Sequence, residues 1–154
     1  MAQPVVRELL HHAGPDLTLV FRHFPLSEVH PMAEIAAQAA EFAGAHGIFW
    51  QMHEALFANQ SRLDPSLIFA LAGALGLSQG ALQRALQLGT YAQDVREDLV
   101  GGARSGVNGT PCFFVNGIRH DDAYTFGALA AAIGAAQRQA RTVKPAAPHG
   151  HARA

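Results

Sequence analysis

The chain has one cysteine, Cys112, in 154 residues. A single thiol excludes an intrachain disulfide and any zinc site built from several thiolates. Charge is scarce as well: Asp, Glu, Lys and Arg make up 15% of the residues, and the net charge is -1 with histidine neutral. That leaves no basic footprint for nucleic acid. No apolar run approaches the roughly 18 residues that span a bilayer. Neither nucleic acid nor membrane is therefore expected as a partner. The opening residues, Met1 to Glu8, lack the charged start and apolar stretch of a signal peptide. The chain as it stands is expected in the cytoplasm; a signal upstream of Met1 would place it outside. There is no internal repeat. With hydrophobic residues at 49%, the composition is that of a globular chain, long enough for one domain with a sizeable core and a tail.

Several elements can be read in order. Residues 3–13 predict a short helix, with Pro4 in the first turn and Val5, Val6, Leu9 and Leu10 forming an apolar stripe. Leu17 to His23 predicts a strand whose nearly continuous apolar character implies burial on both faces. Phe24-Pro25-Leu26 leaves it extended, because a residue before proline avoids the helical region. Helices are then expected over 32–45, over 48–59, from Asp64-Pro65 to near Gly76, from Ser78 to near Gly89, and from Thr90 to Ala103. Cys112 to Val115, an Asn116-Gly117 turn and Ile118 to His120 predict a β-hairpin. Thr125 should cap a last helix reaching about Gln139. Residues 142–154, rich in Pro, Ala, Gly and His, read as a flexible tail. The order of helix, strand, helical block, hairpin and helix predicts an α/β domain over 1–141, with an all-helical insertion at about 31–104.

Few side chains carry a chemical signal. The nine histidines form neither the i, i+4 pair of a metalloprotease helix nor a cysteine–histidine zinc spacing. No metal and no cofactor are expected. His23 ends the first strand, where catalytic side chains often sit in open α/β sheets. The plainer reading is a partly exposed histidine that anchors the loop. Cys112 is a candidate reactive thiol, but no basic residue or helix start adjoins it in sequence, and the plainer reading is a small core residue. Trp50 with Phe49, Met52 and Phe57 could line a groove, although helical spacing favours core. Asp121 and Asp122 are expected to cap or solvate the turn they occupy.

Three motifs carry a resemblance. Leu19-Val20-Phe21-Arg22-His23-Phe24-Pro25-Leu26 is similar to a strand and its exit in the DsbA-like thioredoxin-fold proteins. Phe49 to Phe57 resembles their inserted helices. Ser105 to Pro111, followed by Phe113-Phe114-Val115-Asn116-Gly117, is the closest match. The resemblance covers roughly residues 4–135. It implies a thioredoxin-like sheet with a helical insertion, thiol–disulfide oxidoreductase activity, and protein or peptide substrates that carry cysteines. It also implies a cis peptide bond at Thr110-Pro111, with substrate held by the backbone there; His23 and Phe24 are the further expected substrate contacts.

The family's chemistry uses a Cys-x-x-Cys pair at the start of the first helix, where the helix dipole activates one thiol and the second resolves the mixed disulfide. Here that helix is the one at 3–13, and its dithiol and the strand before it would lie upstream of Met1. The sheet is therefore expected to lack its first strand, and the chain as given to be inactive in disulfide exchange. Its open edge could pair with a second copy. A non-catalytic peptide-binding module, or a DsbA-like isomerase or transferase, are the alternatives.

Overall fold

The computed structural model describes residues 2–143. Local signals set most of its helices. Helix α1 is Gln3–Ala13, with Pro4 in its first turn, and a single 3-10 turn follows it. Helices α2 (Ala33–Ala45) and α3 (Phe49–Ala58) lie where the alanine-rich and aromatic runs predict them. Helix α4 (Pro65–Ala74) starts on Asp64, whose carboxylate accepts from the Leu67 N–H at 2.8 Å. Helix α5 (Gln79–Leu88) starts on Ser78, whose hydroxyl accepts from the Ala81 N–H at 3.2 Å. In both, a side-chain oxygen takes up an amide that has no partner within the helix. Helix α6 is Ala92–Arg104.

Strands β1 (Phe113–Val115) and β2 (Ile118–His120) pair antiparallel, with Phe113 opposite His120 and Val115 opposite Ile118. Asn116 and Gly117 have φ of 47° and 82°. Two successive left-handed residues make the type I′ turn that suits the twist of a two-residue hairpin. Helix α7 (Phe126–Val143) starts on Thr125, whose hydroxyl accepts from the Ala128 N–H at 3.3 Å. It extends past the expected end at Gln139 and takes in the first two residues of the expected tail; residues 144–154 lie outside the described residues.

One expectation fails. Leu17 to His23 is not a strand, and β1 and β2 form the whole sheet among the described residues. Leu17 is extended, with φ of -118° and ψ of 123°, and burial alternates along the segment: Val20 is 75% exposed and His23 only 6%. The local preference for β geometry is thus present, but no ladder partner is. Strand formation needs non-local hydrogen bonds that propensity cannot supply. The expected burial on both faces is corrected to burial on one.

The chain divides into two compact units. The helical unit is Phe21–Thr110; the hairpin unit combines Met1–Val20 with Pro111–Ala154. In the helical unit, α2 lies at the centre and packs on α3, α4, α5 and α6. Its small residues Ala39, Ala40 and Ala43 allow close approach, and Met52, Ile68 and Leu82 are fully buried against them. In the hairpin unit α7 packs on α1 and on β1, with Leu9 and Leu129 buried.

Candidate functional site

The expected site residues are distributed over both units. His23, Phe24 and Thr110 belong to the helical unit, and Pro111 and Cys112 to the hairpin unit. Thr110 and Pro111 are exposed, and Phe24 is half-buried. Cys112 is a free, half-buried thiol, more accessible than a core residue.

His23 departs from the expected exposure. It is buried rather than partly exposed, and it is held from three sides. Its Nε2–H donates to Glu41 Oε1 on α2 at 2.9 Å. Its backbone N–H donates to Asp98 Oδ2 on α6 at 2.8 Å, while Arg22 Nε donates to the other oxygen of Asp98 at 2.7 Å. One carboxylate thus clamps two successive residues of the extended segment. In effect the Asp98 side chain replaces a neighbouring strand as acceptor for the His23 amide. The ring of His23 sits edge-on to Phe21 and Phe49, at 5.2 and 5.9 Å between centroids.

The residues on either side of His23 each lie against a glycine of α6. Gly101 and Gly102 lie within α6, where each gives up roughly 1 kcal/mol of helix propensity against alanine. A Cβ on Gly102 would lie 2.9 Å from Cδ2 of Phe24, and one on Gly101 would lie 3.1 Å from Nη2 of Arg22. The missing side chains make room for the segment to lie on the helix. Arg22, His23 and Phe24 are therefore placed by α2 and α6.

Beside His23 lies a second buried histidine that the sequence reading passed over. His53, on α3, is ringed by Phe21 at 4.5 Å, Phe57 at 4.7 Å, Trp50 at 5.3 Å and Phe49 at 5.8 Å. Burial pushes its pKa down from 6.5 to about 4, the nearby His23 adds to the shift, and Glu54 opposes it. His53 is therefore a neutral imidazole at pH 7. Of the aromatic run, Met52 is core as expected, whereas Trp50 is 42% exposed and forms the outer wall of this box. The signal for the box was a histidine on the apolar face of α3; what closes it, Phe21, is distant in sequence.

The hairpin unit carries less chemistry. Arg119 pairs with Asp121 at 2.7 Å, and Asp122 accepts from the Ala123 N–H at 2.7 Å. These two carboxylates are each taken up by a partner of their own in the turn before α7. Among the described residues no three histidine, cysteine or carboxylate side chains gather to hold a metal ion. No helix among them is long and apolar enough to cross a membrane.

A family model for the DSBA-like thioredoxin domain matches residues 31–138. Among curated proteins, the chain is 44% identical over 132 residues to a protein of Salinispora arenicola named Na(+)/H(+) antiporter NhaA 1, covering 86% of this chain and 20% of that protein. It is 41% identical over 140 residues to Na(+)/H(+) antiporter NhaA 3 of Salinispora tropica, covering 91% and 21%. It is 34% identical over 135 residues to Na(+)/H(+) antiporter NhaA of Herminiimonas arsenicoxydans, covering 88% and 21%. The chain spans about a fifth of the length of these relatives. No solved structure matches it significantly.

Proposed function

The chain belongs to the DSBA-like thioredoxin domain family, with the fold of that family and its helical insertion, and from this premise we propose that it binds extended, cysteine-bearing peptides within thiol–disulfide chemistry but does not itself exchange disulfides. The observation that carries the second half is the single thiol. Cys112 can form a mixed disulfide, but the chain has no second cysteine with which to resolve it itself. The peptide-binding half rests on the family membership, on the exposure of Thr110 and Pro111, and on the anchoring of Arg22, His23 and Phe24. In this reading the backbone at Thr110-Pro111 holds the substrate chain, with Phe24 and His23 as the further proposed contacts.

Insulin reduction and scrambled-ribonuclease refolding test the redox half: the expected rate with this chain equals the uncatalysed rate, and turnover above it would overturn the reading. Titration with a fluorescent cysteine-containing peptide tests the binding half. Saturable binding that weakens when Pro111 is replaced by Ala is expected, and no binding at millimolar peptide would reject it.

A second reading draws on the names of the relatives. They are called Na(+)/H(+) antiporters, and the chain corresponds to about a fifth of each. The domain would then be a non-catalytic module attached to a transporter of that type. Sodium–proton exchange in vesicles that differ only in this domain would separate the readings. Unchanged exchange would leave the peptide reading standing alone.

A further inference from the structure

The box around His53 places two buried imidazoles against the same two rings. Phe21 and Phe49 each contact both His23 and His53. The histidines are 6% and 8% exposed. The box is also the place where the extended segment is fastened: Phe21 is at once part of that segment and the ring closest to His53.

We propose that this box is a proton-operated latch, in which protonation of His53 releases the segment Phe21–Phe24 from α2, α3 and α6 while the helices stay folded. The argument is electrostatic. A charge on His53 must be desolvated among four aromatic rings, and it is repelled by any charge on His23. An attraction between the imidazolium and the ring faces opposes this, but it is worth less than the desolvation of a buried charge.

The surrounding charges do not cancel the effect. From α2, Glu41 is directed at His23. From α6, Asp98 is taken up by Arg22 and the His23 amide. From α3, Glu54 is exposed and only partly offsets a charge on His53. Turning Phe21 out of the box gives the imidazolium water. The segment is the part able to move, because it has no ladder partner among the described residues and is held by side-chain contacts. Opening the latch would move Arg22, His23 and Phe24 together.

Trp50, the chain's one tryptophan, reports on the latch because its ring is 5.3 Å from His53 and a protonated imidazole quenches indole fluorescence. The experiment follows three signals from pH 7 to pH 3.5: Trp50 emission, far-ultraviolet circular dichroism, and hydrogen exchange of the amides of Arg22 to Phe24 corrected for intrinsic rates. The expected result is a change in emission centred near pH 4, with a tenfold or greater rise in exchange at the segment and no loss of helical signal. His53→Gln should abolish both changes. His23→Gln keeps a donor for Glu41 but removes a titratable neighbour, and it should move the transition to higher pH. The latch is overturned if the segment's exchange stays flat, if it rises only together with that of Ile68 and Leu82, or if His53→Gln behaves like the parent. If His53→Gln does not fold, the direction of the His23→Gln shift decides: a transition that stays put or moves to lower pH rejects the proposal.

Discussion

The helical unit and the hairpin unit are built on different terms. The helical unit closes around a continuous core: α2 offers alanines, and Met52, Ile68 and Leu82 fill the space they leave with no exposure at all. The hairpin unit pairs two three-residue strands and buries Leu9 and Leu129, while Val20, Phe114, Ile118 and Tyr124 remain exposed. A two-stranded sheet is marginal on its own and depends on the helix packed against it. The difference bears on function. Of the residues of the proposed peptide site, His23 and Phe24 are held by helices of their own unit, whereas Pro111 belongs to the unit with the short hairpin.

The largest expected effect breaks this comparison if it fails. Ile68→Ala removes three methyl(ene) groups from a site with no exposure, and should destabilise the helical unit by about 2–5 kcal/mol through lost transfer energy and the cavity left behind. Ile118→Ala, at a position 66% exposed, should cost no more than about 0.5 kcal/mol. Urea titrations followed by circular dichroism measure both. Equal losses would show that the units do not differ in the way their burial implies.

Acid provides the second test, because only the helical unit holds a buried histidine with a displaced pKa among the described residues. His53 titrates at 6.5 when unfolded and at about 4 when folded. Between those values the unfolded chain binds one more proton than the folded one, so stability rises with pH. The contribution is fully present above pH 6.5 and is lost as the pH falls toward 4. The shift sets an upper limit of about 3 kcal/mol over that window, reduced by solvent screening. Carboxylates also titrate in this range, so the quantity to measure is the difference between the parent chain and His53→Gln. The variant should lose less stability between pH 6.5 and pH 4, and an identical acid profile would reject the buried neutral histidine.

What was legible in the sequence follows the same division between local and non-local causes. Asp64-Pro65, Ser78 and Thr125 mark helix starts because a cap is a contact over three residues, and Asn116-Gly117 marks its turn because left-handed geometry is a property of those two residues. Leu17 to His23 misled because a nearly continuous apolar run of β propensity states only that a segment can be a strand. Whether it becomes one depends on a partner elsewhere in the chain. The acceptor that takes the His23 amide, Asp98, lies 75 residues away. The box around His53 was hidden for the same reason, although two signs stood in the open. Glu41 is an acid set between Ala40 and Phe42 in an alanine-rich helix, and His53 lies among Phe49, Trp50 and Phe57 on one helix. A carboxylate and an imidazole on otherwise apolar runs are each waiting for a polar partner inside.

The smallest expected effect sharpens the comparison at single-atom scale, because it turns on two glycines, each within a helix. At Gly102 an added methyl would press on the Phe24 ring at 2.9 Å. Overpacking of this kind costs about 1–3 kcal/mol, while alanine returns up to about 1 kcal/mol of helix propensity. Gly102→Ala should therefore destabilise the helical unit by a net amount on the order of 1 kcal/mol. At Gly127, in the first turn of α7, nothing lies within 4 Å of the added methyl. There the propensity acts alone, and Gly127→Ala should stabilise by up to about 1 kcal/mol. Opposite signs in the two urea midpoints are the expected outcome. If Gly102→Ala were also stabilising, Phe24 would be free to move off α6 at little cost, and the glycine pair would no longer explain how the segment is held.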